Sequence, residues 1–585
     1  MFRYQKYTED KYDDIYKQIL CGRGLPETDV GRWLAADIKE INDWTALNKA
    51  DMIRAVCLVE NIINHEEDML VVVDSDADGF TSAAIFINYL YKINPMYVEN
   101  HLSYFMHDGK QHGLADVPVD EQYKLVVCPD SASNDYEQHK AWNRAGAKIL
   151  ILDHHEAPEI SPCAITINNQ LCDYPNKNLS GAGITWQFCR AYDSVFNQDF
   201  ANDFTDLAAL GVISDMMSYK SLETRSLVCL GLTQITNAFF EKMTEYNAYS
   251  IGKMGGINYF SVAFYVTPFI NSVVRSGTPE EKELLFKSML LQYENEQVPN
   301  GKRGHKGELI DLPSEAVRQT ANVKSRQTKL VDDAMAFLEK KIKKENLDSN
   351  PVIVLLCEPG DVETNIAGLV ANKIQSLYQR PTFVLIKTYD YESKSYIYKG
   401  SARNYSMSEI QNLRELSEQT NSIEYAQGHE GAFGFAIKET DLDNFTSILF
   451  DNYKSVSLEP TYYVDYVWNI NTVDRRIILD IADANELWGT GIPESYVALE
   501  RIPLKSCSIS LLGLDKGHPT VKISLPSGVD IMKFKSSEEE FNKLSKDNDN
   551  LMLYAVCKPQ KNEWNETITP QLIVEDYYVK EEWIF

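Results

Sequence analysis

Three short apolar runs, MLVVVD, KLVVCPD and KILILD, recur between residues 69 and 153, and each closes on an aspartate. Runs this short and this continuously apolar predict strands buried on both faces of a parallel sheet. The segments between them, TSAAIFINYLY and DYEQHKAWNRAG, fit the crossover helices that parallel strands require. Upstream, TALNKADMIRAVCLVENII repeats apolar groups at helical spacing, so residues 1–70 are expected to be a helical segment. Helical patterns return over 226–345 and finish in the charged stretch PSEAVRQTANVKSRQTKLVDDAMAFLEKKIKKEN, which predicts a long connecting helix. PVIVLLCE at 351 opens a second α/β block reaching about 455. Beyond 460 short strands dominate (RRIILDI, SCSISLLGL, TVKISL, LMLYAV, QLIVEDY), the pattern of a small β-barrel. The expected fold class is therefore α/β and multidomain, in segments 1–70, 71–225, 226–345, 350–455 and 460–585.

Length and composition narrow this picture. A chain of 585 residues with 44% hydrophobic content should form several domains rather than one core. Its formal net charge of −28 repels polyanions and anionic membranes, so a nucleic acid must be held by metals or by a local basic channel. Ten cysteines are scattered without a Cys-x-x-Cys pair, which argues for reduced core thiols and against a zinc ribbon. The polar start MFRYQKYTEDKYDD is unlike a targeting peptide, and no apolar stretch approaches the roughly 18 residues of a membrane span. A cytoplasmic protein without membrane contact is expected.

The chemistry sits where the strands end. Asp74, Asp76 and Asp78 alternate immediately after VVV, and three carboxylates that close together call for a cation. Asp153, His154, His155 and Glu156 follow KILIL, while Asp130 ends KLVVCPD and Asp215 ends DLAALGVISD. Carboxyl ends of strands are where open α/β sheets place their sites. Taken singly, the first cluster could be a solvated turn or a calcium loop, the histidines a satisfied pair, and Asp130 and Asp215 turn or cap residues. Together they supply hard oxygen and imidazole donors suited to manganese or magnesium. The number suffices for two ions about 3.5 to 4 Å apart bridged by a carboxylate, a centre that supports phosphoester hydrolysis.

The succession DADG, CPD, DHH and ALGVISD resembles the DHH phosphoesterase superfamily, which the Asp-His-His triplet names. Within it the resemblance is to the RecJ-like exonucleases, specific for single-stranded DNA and running 5′ to 3′, and it covers nearly the whole chain. ILCGRGLPETDVGRWL, LSGAGITWQF and TPFINSVVRSG match the amino-terminal half, the last bringing Asn271 and Arg275 to substrate-binding positions. ETNIAGLVANKIQSLYQRPTFVLI, GSARNYS and AQGHEGAFGFAI are similar to the DHH-associated domain. LWGTGIPESYVAL, TVKISLPSGVDIMKF and QLIVEDY are similar to the oligonucleotide-binding (OB-type) barrel of that family.

The resemblance implies roles. Asp78, Asp130, His154 and Asp215 would hold one manganese; Asp76, with Asp74 beside it and Asp130 bridging, would hold the other. His155 would face the scissile phosphate and Asp153 would support the histidines. Ser401 and Arg403 would grip the terminal phosphate, and Gly428 and His429 would approach the nucleotide. In this reading the metals cut at a fixed distance from that phosphate pocket, in a cleft admitting one strand, and release mononucleotides. Lys302, Arg303, Lys306, Arg318, Lys324, Arg326 and Lys329 could track the backbone, with a solvated helix face as the alternative. Trp468, Trp488, Tyr496 and Trp564 are candidate stacking platforms, core packing being the better reading of any one of them. The implied partners are single-stranded DNA and a recruiting single-stranded-DNA-binding protein or helicase, the implied state a monomer, and the implied processes DNA recombination, repair or replication.

Two positions depart from the family pattern. His107, with Lys110 nearby, stands where an arginine usually precedes Gly-Tyr-Gly-Leu to meet the terminal phosphate, and CPDSASND replaces the usual Asp-x-Gly. This drift and the acidic total suggest a divergent, phage-encoded member. Two rival readings differ in what they require. A DHH phosphodiesterase of oligoribonucleotides or cyclic dinucleotides usually lacks the barrel and long helix, and a non-catalytic replication scaffold would have lost the ligand carboxylates.

Overall fold

The computed structural model describes residues 2–109, 111–390, 394–514, 517–545, 550–565 and 567–582. The chain divides into two compact units rather than five segments. One holds Arg23–Lys324 with Asp483–Glu494, and the other Met1–Gly22, Ser325–Ala482 and Ser495–Phe585. The expected helical segment 1–70 is therefore corrected. Helix Lys49–Asn64 forms as its periodicity predicts, but Arg3–Lys6 is a strand that pairs in parallel with Thr461–Val464. The physical reason is local burial: Phe2 packs with Tyr462, Val464 and Val556.

The first unit is built on a five-stranded parallel sheet in the order Leu102–Met106, Met69–Val73, Leu125–Pro129, Lys148–Asp153, Ile165–Asn168. Met69–Val73 and Leu125–Pro129 are buried at every position, which is why their sequences are apolar without alternation. Helix Ala77–Ile93 leaves the first of these ends, capped by Asp76, whose carboxylate accepts the Gly79 amide at 2.9 Å. It is buried on all sides as far as Leu90, packed against helices Gly181–Phe196 and Thr205–Ser214.

Two glycines permit that approach. A Cβ on Gly211 would lie 2.3 Å from both the Ala182 Cβ and Asp78 Oδ1, and one on Gly181 would lie 2.4 Å from the Asp130 Cβ. The residues of Asp483–Glu494, expected in the barrel, instead fold with this unit. Tyr219 donates its amide to the Thr490 carbonyl at 2.8 Å, Arg225 donates to the Glu486 carbonyl at 2.6 Å, and Arg23 donates to that of Pro493 at 3.3 Å.

The second unit contains a five-stranded mixed sheet, ordered Ile423–His429, Ala432–Lys438, Ser395–Arg403, Thr382–Asp390, Ile353–Cys357. Apolar clusters on Ala367–Tyr378 and on Leu442–Tyr453 cover it. Seven further strands form one sheet, Tyr466–Trp468, Val497–Pro503, Leu551–Trp564, Thr567–Glu581, Asp530–Lys533, Thr520–Ser524, Ser508–Leu512. Among the described residues its two terminal strands do not pair with each other, so no closed barrel is seen there.

RRIILDI is a helix, Arg475–Asp483, not a strand. Ile478 and Ile481 are buried at a spacing of three, and Asp474 caps the turn by accepting the amides of Arg476 and Ile477. The expected long helix is present as Leu312–Lys344, running through the boundary between the units. Among the described residues no helix is long and apolar enough to cross a membrane.

Because a Cβ on Gly211 would meet both a neighbouring helix and Asp78 at less than van der Waals distance, Gly211→Ala should destabilise the protein by about 1–3 kcal/mol. A denaturation midpoint equal to that of the unaltered protein would refute this account of the helix packing.

Candidate active site

The three aspartates after the first strand have different surroundings. Asp78, in the first turn of its helix, is fully buried and faces the start of helix Gly181–Phe196. Its Oδ1 accepts from the Ser180 hydroxyl at 2.9 Å and the Ala182 amide at 3.1 Å, and its Oδ2 from the Gly181 amide at 2.8 Å. Amide donors at a helix start favour an anion there. Asp74 is buried and Asp76 half-buried, and ligand atoms of Asp74, Asp76 and Asp130 lie within 4.8 Å of one another.

Asp130 joins the two halves of the cluster. It adopts φ of 69°, and Ala132 two residues later adopts 75°, in the position where the resembling family has the glycine of Asp-x-Gly. The altered motif thus keeps the left-handed turn without glycine. Asp130 Oδ1 is buried and accepts no hydrogen bond among the described residues, although His154 Nε2 lies 3.1 Å away. His154 Nε2 is also 3.4 Å from Asp215 Oδ2 and 3.9 Å from Asp78 Oδ2. All six expected ligand residues are therefore brought together.

The electrostatics describe a site short of positive charge. Burial and then the neighbouring carboxylates push Asp130 and Asp215 well above the usual carboxylate range. Burial, followed by Asp76, raises Asp78 to about 6, and burial raises Asp74 against the pull of His112. Crowded hard oxygens, one of them without a donor, together with one imidazole, are a donor set that fits divalent manganese or magnesium. The residues present fit the metal centre.

The remaining members of the triplet form a charged pair. Asp153 Oδ1 accepts the amides of His154 at 2.7 Å and His155 at 3.1 Å and faces His155 Nδ1 at 2.8 Å; Oδ2 accepts from the Ser133 amide at 3.1 Å. Burial alone would raise Asp153, but the histidines and Ser133 hold it well below the usual range. His155 is penalised by burial, yet Asp153 outweighs that and pushes it up to about 9.

Other expected site residues divide. Asn271 and Arg275 lie on helix Thr267–Ser276. The Asn271 Oδ1 is buried without a hydrogen bond among the described residues, and loss of hydration lowers the pKa of Arg275 against the pull of Asp76. His107 is a correction. Its side chain is buried, Nδ1 lies 2.8 Å from Asp116 Oδ1, and Lys282 donates to the carbonyls of His107 and Asp108, so this histidine does not face a phosphate site. Lys110 lies outside the described residues. The sequence reading missed His112, whose Nδ1 is 2.6 Å from Asp74 Oδ2. The signal was available: it takes the tyrosine position of the family's Gly-Tyr-Gly-Leu.

In the second unit Ser401 and Arg403 project from one strand at a spacing of two, towards the start of helix Ala367–Tyr378. A Cβ on Gly368 there would lie 2.5 Å from the Arg403 guanidinium and 3.5 Å from the Ser401 hydroxyl. Gly428 has φ of 126°, and a Cβ on it would meet the Ala432 carbonyl at 2.7 Å; His429 beside it is exposed. Lys302, Arg303 and Lys306 are exposed on one loop and Lys329 on the long helix, whereas Arg318 is held by Glu315 at 2.8 Å and Lys324 and Arg326 have partners. Trp468 and Trp488 are core residues, Tyr496 is half-buried, and Trp564 is 73% exposed.

Comparison with known proteins agrees with this geometry. Residues 68–212 match the DHH family, N-terminal domain. The chain is 32% identical over 569 residues to YorK of Bacillus subtilis strain 168, provisionally named an SPbeta prophage-derived single-strand DNA-specific exonuclease, covering 97% of this chain and 96% of that protein. It is 24% identical to the single-stranded-DNA-specific exonuclease RecJ of the same organism, over 99% of this chain and 71% of RecJ. The crystal structure of Thermus thermophilus RecJ in complex with manganese superposes with a TM-score of 0.69 at 18% identity, over 97% of this chain and 78% of that one. The chain belongs to the DHH family, in its RecJ-like branch.

A pH dependence follows for the metal-stripped protein. Native carboxylates with raised pKa bind more protons than the unfolded chain above about pH 4, so their contribution to stability falls as pH rises through the native values. Manganese at 100 times its dissociation constant should add about 2.7 kcal/mol. At fixed manganese the midpoint should rise more at pH 7.5 than at 5.5, where protons compete. Equal thermal shifts at both would contradict the assignment.

Proposed function

We propose that the chain is a metal-dependent exonuclease that hydrolyses single-stranded DNA from the 5′ end to 5′-mononucleotides, in DNA recombination, repair or replication. The observation that carries the reading is the convergence of Asp74, Asp76, Asp78, Asp130 and His154, at or just after strand ends of the parallel sheet, with Asp215 at the end of helix Thr205–Ser214. The names of the relatives as single-strand-specific exonucleases support the substrate, and solved relatives with manganese or magnesium support the metal.

In this reading Asp78, Asp130, His154 and Asp215 would hold one ion, and Asp74 and Asp76, with Asp130, would hold the second. Bound there, the ions would activate an attacking water and neutralise charge on the phosphodiester oxygens. His155, kept cationic by Asp153, donates to a non-bridging oxygen of the scissile phosphate as charge develops on it. Asp153 fixes the direction of that ring. Ser401 and Arg403 hold the 5′-terminal phosphate, the guanidinium matching it with two donors, and the helix start at Gly368 adds amide dipoles. With His107 buried, recognition of the terminal phosphate rests on this pair. Asn271 and Arg275 contact the strand near the metals, and Gly428 and His429 approach the terminal nucleotide. A single-stranded-DNA-binding protein or helicase would deliver the substrate.

The test is a manganese-dependent assay on single strands labelled at either end, with a 5′-phosphate or a 5′-hydroxyl, beside a dinucleotide control. Progressive loss from the 5′ end is expected; cleavage of the dinucleotide alone would overturn the reading. Asp130→Ala should lower the rate by at least about 10²-fold while single-strand binding persists. Arg403→Ala should reduce the preference for a 5′-phosphate by about 10-fold or more. If the two variants lost the same property, the assigned division of labour would be wrong.

A further inference from the structure

His112 is not among the residues assigned a role above, and its surroundings are specific. Its Nδ1 lies 2.6 Å from Asp74 Oδ2, while the adjacent Gly113 amide donates to Asp74 Oδ1 at 3.3 Å, so the two residues address both oxygens of one buried carboxylate. The imidazole is 59% exposed and Asp74 is 1% exposed, so the ring closes the outer side of the carboxylate rather than filling a core.

The loop that carries the ring is fixed. Gly113 takes φ of 67°, and a Cβ there would strike Asp135 Oδ2 at 2.2 Å. That same oxygen accepts the Leu114 amide at 2.7 Å, the Leu114 side chain is buried, and the Asp135 amide donates to the Ala132 carbonyl at 3.1 Å. The His112 loop is thus tied to the turn that presents Asp130, and Asp74 and Asp130 belong to the same cluster of ligand atoms.

We infer that His112 is a positioning residue of the metal centre, holding Asp74 by a hydrogen bond from Nδ1 so that the Asp74–Asp76–Asp130 group binds its divalent ion. An ionised carboxylate can only accept, so Nδ1 carries the hydrogen. An oxygen that accepts this bond keeps a second lone pair for a metal, and donors behind a ligand fix its orientation and its affinity for the ion. The inference rests on the two-ion reading of the site.

The experiment is titration of the full-length, metal-stripped protein with manganese alone, following free ion by electron paramagnetic resonance. The unaltered protein should bind two ions. His112→Ala should weaken one of them about 10- to 100-fold and leave the other, and His112→Asn, which keeps a donor near the Nδ1 position, should recover most of the loss. Exonuclease assays should show the manganese half-saturation point moved by the same factor, with the rate at saturating manganese nearly preserved. Unchanged affinity for both ions in His112→Ala, or equal losses in the Ala and Asn variants, would overturn the role of His112. Failure of the unaltered protein to bind manganese would instead overturn the metal centre itself.

Discussion

Repulsion among buried carboxylates is the constraint around which this protein is organised. Asp74, Asp78, Asp130 and Asp215 sit where burial and their neighbours disfavour ionisation, yet they must be ionised to hold a metal. The surrounding structure keeps them in place regardless. Helix Gly181–Phe196 aims its first amides at Asp78, and Gly181 and Gly211 let neighbouring groups reach Asp130 and Asp78 without a Cβ in between. A left-handed turn presents Asp130, and His112 and Gly113 clasp Asp74. The acidic cluster is held by the fold, and the fold leaves it in need of divalent charge.

The same logic separates the two histidines of the triplet. His154 turns its Nε2 into the carboxylate cluster, towards Asp130, Asp215 and Asp78. His155 is bound to Asp153 through Nδ1 and kept cationic, which suits it to meet phosphate charge. The two are adjacent in sequence, but the strand end turns them to different partners. Ser401 and Arg403 lie on a different sheet, and their alternation along one strand puts both side chains on the same face.

Several expectations failed for local physical reasons. RRIILDI is rich in β-branched residues, but its buried positions are three apart and a capping aspartate precedes it, so it winds into a helix. The amino terminus is too polar to look like a strand, yet parallel pairing with Thr461–Val464 decides its conformation. His107 looked like a phosphate contact because of its place in a motif; burial beside Asp116 assigns it to the interior. The terminal strands of the last sheet do not meet among the described residues, and alternation of apolar residues cannot report whether a sheet closes.

The sequence alone determined the parallel sheet and the long helix, and it singled out the carboxylates and the imidazole that the fold gathers. Continuous apolar runs ending in Asp74, Asp130 and Asp153 leave few other ways to bury those strands. GSAR and QGHEGAFG likewise carry their resemblance in consecutive residues. Tertiary structure decided what depends on contacts distant along the chain: the clasp of His112 on Asp74 across 38 positions, the contact of Ser180 with Asp78 across 102, and the folding of Asp483–Glu494 with Arg23–Lys324. Spacing along a chain predicts which face a residue occupies within its own element. Which residue it meets from another element is set by packing, and at this site packing selects the partners of each carboxylate.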